Sequence, residues 1–410
     1  MADLLQVHVL SAAGKPIFST TSDDCSNASF SGLIQGISSF SDDTLRQITT
    51  SSHVLTFLPS PPLLYFCAAS KSLAGLNVPR LLHLLKSHLL VFLTQNGLAL
   101  MESNPNYDLR NLLYGTHGVL VAVTVAWTEC VWAQLDHTGV AFWPMKADTR
   151  RALQHAMDIP GLVFGLVSRR GHVVAFRQGH KDHPFLVEDV HVLHHVVAHM
   201  PSFKSSESWT PLCLPAFNST GFLYGYVVFL TPDVHVVLLS TDQAHTQFHA
   251  FQERTQDVLR PLLDTAGLLE QPPPGRPASL LPRRFVPLLV HFLYQHERTH
   301  EVVTPPFADC AVLDTPQWRT HILRQYCTLH RRLHGPTTHE PRKLGVPRTT
   351  EPNYPATIYF IRSETTVALG LVKPTGYLYV CCQPLLTADH ATDLAEALYQ
   401  VICNDMLTAA

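Results

Sequence analysis

The 410 residues carry a net charge of -3, with 46% apolar and only 15% charged side chains. Soluble chains average about 25% charged residues, so extra surface is expected to lie buried against a partner, and the near-neutral balance excludes the strongly basic domain that nucleic-acid binding normally needs. Single cores rarely outgrow about 250 to 300 residues, so a chain this long divides into two to four domains, with three the natural number.

MADLLQVHVL shows no basic leader ahead of an apolar core, so a cytoplasmic protein is expected. From Leu5 to Leu10 the chain reads as a strand, which turns through Ala13-Gly14-Lys15-Pro16 and returns through Ile17 and Phe18. Phe30, Leu33, Ile34, Ile37 and Phe40 then recur at helical spacing. A second strand pair, His53 to Leu58 and Leu63 to Ala69, precedes a long helix starting near Pro79 with Leu82, Leu85, Leu89 and Leu93 on one side. Its apolar run is broken by Thr94, Gln95 and Asn96, well short of the roughly 20 residues that cross a bilayer, so any membrane contact is expected to be peripheral.

The same order recurs downstream. Leu162 to Val167, the turn Ser168 to Gly171 and His172 to Phe176 form a strand pair with a helix from Val187 to Met200 behind it. Leu212 to Phe217, Phe222 to Leu230 and Val234 to Leu239 read as strands, followed by a polar helix from Asp242 to about Leu259. The Pro-rich stretch Glu270 to Arg284 marks a boundary. Beyond it, Leu288 to Tyr294 reads as an apolar, helix-like run in place of a hairpin. Asp314 or Thr315 caps a helix with Pro316 in its first turn, and strands follow at Thr357 to Ser363, Thr366 to Leu371 and Tyr377 to Cys382 before a helix carrying Leu394, Leu398 and Ile402. The pattern gives an α/β chain of three sheet-and-helix units, 1–145, 146–270 and 271–410. Its nine Cys are odd in number, scattered and without CxxC, as reduced and mostly buried thiols would be.

Four patterns bear on function. His296-Glu297-Arg298-Thr299-His300 is an HExxH string, which on a helix could present two imidazoles and a base to zinc. No third ligand follows at zincin spacing, so no metal site and no cofactor is expected, and the string is assigned to an exposed polar helix end. His191, His195 and His199 share a helical face and are assigned to its solvated side. The face of the first helix opposite its core residues is built from Ser31, Gly32, Gln35, Gly36, Ser38 and Ser39. Two helix-interior glycines cost about 1 kcal/mol each against Ala, which points to close approach by another backbone, either within the chain or from a partner. Arg319, Arg324, Arg331, Arg332, Arg342, Lys343 and Arg348 gather seven cations against the single acid Glu340, and Arg177, His180 and Lys181 lie near Phe185. Both clusters suit an acidic or phosphoinositide-containing membrane surface, with Phe185 inserting shallowly; for Arg331 and Arg332 the alternative is complementing a helix dipole.

WTPLCLPAFNSTGFLYGYV, from Trp209 to Val227, has an order of Trp, Pro, Cys, Pro and Asn that no packing rule demands. It resembles a signature of the Mon-one or SAND family of vacuolar fusion proteins. HVLSAAGKPIFS from His8, NYDLR from Asn106, HFLY from His291 and TIYFIRS from Thr357 resemble the same family in the same order. The resemblance implies three longin-like domains, each a mainly antiparallel sheet flanked by helices. It also implies a non-enzymatic subunit of a guanine-nucleotide exchange factor without its own nucleotide site, with a Ccz-one-type tri-longin partner and a late-endosomal Rab GTPase of the Ypt-seven type. In such factors paired longin domains form the GTPase platform, which makes Ser31, Gly32, Gln35, Gly36 and Ser39 candidate contacts, although the family does not fix these residues. Relatives generally carry a long polar extension ahead of the first hairpin, whereas here the first strand is reached by Leu5. The alternatives are a trafficking adaptor without exchange activity and, more remotely, a zinc peptidase.

Overall fold

A computed structural model describes residues 4–21, 32, 34, 36, 45–104, 113, 115–135, 138–143, 145–179, 184–270, 285, 288–305, 307, 315–335 and 356–406. In the first sheet, β1 (Leu5–Ser11) turns into β2 (Pro16–Ser19) at Gly14, whose φ of 76° suits a residue without a Cβ. β3 (Gln47–Thr49), β4 (His53–Ser60) and β5 (Leu63–Ser70) complete an antiparallel sheet in the order β2-β1-β5-β4-β3. Leu10, Leu55, Phe57 and Phe66 project from it and bury Ile34 of the first helical segment completely.

Against this sheet packs α1 (Val78–Ser103), where the Asn77 side chain accepts from the Arg80 N–H and Pro79 occupies the first turn. Its helical geometry breaks at Thr94, with φ 53° and ψ 167°. Two further helices follow, α2 (His117–Glu129) and α3 (Val131–Gln134), and they fold back on the start of α1. The fully buried Trp127 donates its Nε1–H to the Asn77 carbonyl at 2.9 Å, and Gln134 Oε1 accepts from the Asn77 N–H at 3.0 Å.

After the short strand β6 (Val140–Ala141) and α4 (Ala147–Ala156), β7 (Leu162–Arg169) and β8 (His172–Gln178) form a hairpin. Arg170 and Gly171 both take positive φ, 50° and 77°, the arrangement whose twist matches a two-residue hairpin loop. α5 (Val187–His199), α6 (Pro201–Ser205), β9 (Ser208–Leu214), β10 (Asn218–Thr231) and β11 (Val234–Ser240) follow, giving the sheet order β8-β7-β11-β10-β9. The closing helix is continuous but not uniform: α7 (His245–Arg254) passes through a π-turn at Thr255–Leu259 into α8 (Arg260–Thr265).

The third sheet contains β12 (Leu289–His296), β13 (Glu301–Val303), β14 (Ile358–Arg362), β15 (Val367–Lys373) and β16 (Gly376–Cys382), with α9 (Pro316–His334) and α10 (Ala388–Val401). Thr315 caps α9 by accepting from the Trp318 N–H. The run from Leu288, expected to be helix-like, is the strand β12 opening a hairpin. Burial on both faces hides its alternation. Phe292 and Tyr294 enter a core with Leu394 and Leu398 of α10, while His291 points the other way to the Tyr326 hydroxyl of α9, 2.9 Å from its Nδ1. The sheet order is β14-β15-β16-β12-β13-β6, antiparallel except that β6 runs parallel to β13. A Cβ at Gly139 would collide with the His300 carbonyl, so the strand joins only because that residue is glycine.

The chain divides into two compact units, Met1–Asp136 with Cys213–Gly221, and His137–Leu212 with Phe222–Ala410. The first sheet lies in one; the third sheet and the second, apart from the β9–β10 tip at Cys213–Gly221, lie in the other.

Candidate functional site

The hairpin of β9 and β10 carries the Trp209 to Val227 signature, and its residue types have structural causes. The Trp209 ring stacks on Tyr224 at 6.1 Å and meets Phe248 and Phe251 edge-on at 6.0 and 6.1 Å, while Tyr224 donates its hydroxyl to Gln243 Oε1 at 2.7 Å. At the turn, Cys213 Sγ donates to the Asn218 carbonyl at 3.3 Å. The Asn218 side-chain oxygen accepts from both the N–H and the hydroxyl of Thr220 at 2.9 and 2.8 Å, a local turn that Asn forms readily. Gly225 leaves room for Leu212 and Leu239, whose side chains a Cβ would meet at 3.0 and 3.1 Å.

On the first helix, Gly32 is exposed, Gly36 half-buried and Ile34 fully buried, so the two glycines lie away from the core-facing residue. A Cβ at either glycine meets nothing within 4 Å among the described residues. Crowding by described parts of the chain therefore does not account for them. Ser31, Gln35 and Ser39 lie outside the described residues.

Of the basic residues, Arg331 and Arg332 are exposed in the last turn of α9, with Arg331 Nε donating to the Cys327 carbonyl at 3.2 Å and Arg332 stacked over Tyr359 at 5.8 Å. Both positions also favour the helix dipole. Arg342, Lys343 and Arg348 lie outside the described residues, as do His180 and Lys181. Arg177 pairs with Asp158 at 2.5 Å. Phe185 corrects an expectation: it is 0% exposed and stacks on Phe164 at 4.6 Å, so it is core and has no surface with which to enter a membrane.

All three domain models of the FUZ, MON1 and HPS1 longin family match, the first longin domain over residues 6–122, the second over 160–259 and the third over 288–405. A vacuolar fusion protein MON1 homolog of Oryza sativa is 26% identical, with 96% of this chain and 72% of the relative covered. Vacuolar fusion protein MON1 of Yarrowia lipolytica is 27% identical over 80% of this chain and 61% of its own length, and the bovine MON1 homolog A is 26% identical over 97% and 69%. The chain belongs to the MON1 family.

The three sheets are the three longin domains of a MON1-family protein, and the motifs that suggested other chemistry fall into place within them. His296 ends β12 and Glu297 to Thr299 form the turn into β13, so HERTH lies on no helix. His300 closes the turn with φ 58° and is 1% exposed, and Glu297 is 7% exposed, so the expected exposed helix end is a buried hairpin corner. The turn at Glu297 to Thr299 breaks the helical register that would have set the two imidazoles one turn apart. Among the described residues no group of three His, Cys, Asp or Glu side chains could hold a metal ion.

The row on α5 needs a second correction. His191 and His195 are buried, with His191 Nε2 donating to the Gly139 carbonyl at 3.0 Å, and only His199 is exposed. Chain packs on both sides of this MON1-family helix, so polar residues there do not mark solvent.

One feature had no sequence signal. Arg150 of α4, 7% exposed, donates Nη1 to Glu301 of β13 at 3.1 Å, Nη2 to the Trp143 carbonyl at 2.7 Å and Nε to the Val174 carbonyl at 3.0 Å. Its guanidinium also lies 4.9 Å from the Phe142 ring centre. Burial lowers the Arg150 pKa, and the Glu301 carboxylate opposes that shift. In sequence, Arg150 cannot be told from its exposed neighbour Arg151.

Proposed function

We propose that this chain is one subunit of a heterodimeric guanine-nucleotide exchange factor that activates a late-endosomal or vacuolar Rab GTPase in endosome maturation and fusion with the vacuole or lysosome. The observation that carries the reading is the match of three consecutive longin domains to a family with relatives named vacuolar fusion proteins. The partner is a Ccz-one-type tri-longin subunit. Exchange needs no bond chemistry: a complex that binds the nucleotide-free GTPase better than the loaded one shifts the GTPase toward release. The first-helix face with Ser31, Gly32, Gln35, Gly36 and Ser39 contributes to that platform, and the lack of crowding by described residues at Gly32 and Gly36 supports the assignment. No described helix is long and apolar enough to cross a membrane. The complex is recruited peripherally to acidic or phosphoinositide-containing membrane from the cytoplasm, through Arg331, Arg332, Arg342, Lys343 and Arg348, with Arg177 and Lys181 secondary.

The test is release of a fluorescent guanine nucleotide from purified late-endosomal Rab, with this chain alone, with its partner, and with both. Acceleration by the pair over either subunit supports the reading. A stable pair that leaves release unchanged assigns the chain instead as a trafficking adaptor without exchange activity.

A further inference from the structure

Between α6 and the π-turn of the second longin domain lies a cavity of about 260 Å³, lined by none of the residues assigned above to the GTPase platform or the membrane. Phe203, 4% exposed, and Val228, 5% exposed, give it an apolar base together with Leu230. β10 has 14 residues and its hairpin partner β9 only 7, and Val228 to Leu230 come from the C-terminal half of the longer strand. Gln256 and Arg260 reach the opposite wall from the π-turn and the residue that follows it. Such turns are rare and recur at functional sites, because the extra residue widens the helix and re-aims its side chains.

The charges on the wall are unequally committed. Glu207 Oε2 accepts from Gln252 Nε2 at 2.6 Å and its Oε1 from Gln256 Nε2 at 3.0 Å, so the carboxylate is held by its own fold. Lys204 and Arg260 are exposed, and among the described residues neither has a carboxylate partner. Arg260 donates only to the neutral Gln256 Oε1, at 3.2 Å.

We propose that this cavity is a docking pocket for an acidic peptide segment of a partner protein, which seats one aromatic or aliphatic side chain on Phe203, Val228 and Leu230 and places carboxylates against Lys204 and Arg260. The apolar base selects a peptide over an inositol phosphate. A polyphosphate ring brings no apolar surface to cover the half-buried Leu230, and it would set several negative charges beside the fixed Glu207. A peptide supplies both parts at side-chain spacing, and the charge-assisted contacts at the rim give it direction.

The full chain, bound to its partner subunit where that is needed for solubility, is used to select from a phage library of random peptides about 12 residues long. Counter-selection uses the Lys204→Glu/Arg260→Glu variant. Enrichment of peptides with two or more Asp or Glu beside Phe, Tyr, Trp or Leu is expected. In fluorescence polarisation their affinity should fall on the order of tenfold with either charge reversal, survive Lys204→Arg, and weaken with added salt. Both cations are exposed, so the variants should keep the wild-type melting temperature and the wild-type exchange rate, which separates this pocket from the exchange reading. The proposal is overturned if no peptide binds saturably, if the enriched peptides bind the double variant equally well, or if the site instead takes inositol hexakisphosphate or phosphoinositide vesicles through the same two cations.

Discussion

Breaking the buried pair of Arg150 and Glu301 should destabilise the unit that holds the second and third longin domains far more than an ordinary ion-pair deletion. Exposed pairs contribute about 0 to 1 kcal/mol, whereas stranding one partner of a buried pair costs about 3 to 5 kcal/mol. Here the two side chains are 7% and 5% exposed, which places them in the second class. Glu301→Leu removes the carboxylate that opposes the desolvation of Arg150, while the guanidinium keeps the carbonyls of Trp143 and Val174. At about 2 to 4 °C per kcal/mol for a unit of this size, the melting temperature should drop by roughly 6 to 20 °C. Arg150→Met should cost a similar amount, because it removes the guanidinium facing the buried Glu301 carboxylate and withdraws the donors from both carbonyls. The double variant should recover part of the loss, since apolar replacement of a whole buried pair is often nearly neutral. Urea unfolding followed by tryptophan fluorescence gives the coupling energy from the four proteins. Costs that simply add, with coupling under about 0.5 kcal/mol, would refute the reasoning.

Gly36→Arg meets no described residue within 4 Å of its Cβ and should leave the melting temperature within a few degrees while weakening binding of the partner or the GTPase; undiminished exchange by a folded variant would remove that face from the interface. Burial lowers the pKa of His291 to about 4, with Nε2 donating to the Pro305 carbonyl and Nδ1 accepting from Tyr326. The unfolded chain therefore binds the extra proton between pH 6.5 and 4, and the stability held above pH 6.5 is lost as pH falls through that window, by at most about 1.4 kcal/mol per unit. His291→Gln should flatten the pH dependence of the urea midpoint between pH 6.5 and 5, and an unchanged slope would show that this ring does not titrate on unfolding. Replacing Arg331 and Arg332 by Glu should reduce recruitment to phosphoinositide liposomes, as should rising salt, while exchange in solution persists; equal recruitment would leave these residues as helix-end charges alone.

The sheets were largely legible because most of their strands end in turn chemistry that sequence displays: Gly14 between β1 and β2, Arg170-Gly171 between β7 and β8, and the short connection from Lys373 to Gly376 between β15 and β16. β12 was misread because a central strand covered on both faces carries the same unbroken apolar run as a buried helix. The same cause misplaced His191 and His195, since an amphipathic pattern assumes that one side meets water. Phe185 was misassigned because nearby charges say nothing of where a ring points. The signature at Trp209 located the chain in its family without revealing that the tryptophan is a packing anchor beside the closing helix. No sequence rule shows the π-turn or the Arg150 pair, which arise from tertiary fit.

The parallel strand Val140–Ala141 makes the second and third longin domains something other than beads on a string. A fragment cut at the Pro-rich boundary near residue 271 would leave this piece of its sheet behind, and with it α4 and the arginine that neutralises Glu301. The severed rim would present Glu301–Val303 as an open edge with Val302 and Val303 uncovered, a template for self-association. Excision that respects the fold has to begin ahead of Gly139, so the second and third longin domains travel together, and recombination among relatives would be expected to exchange them as a pair rather than singly.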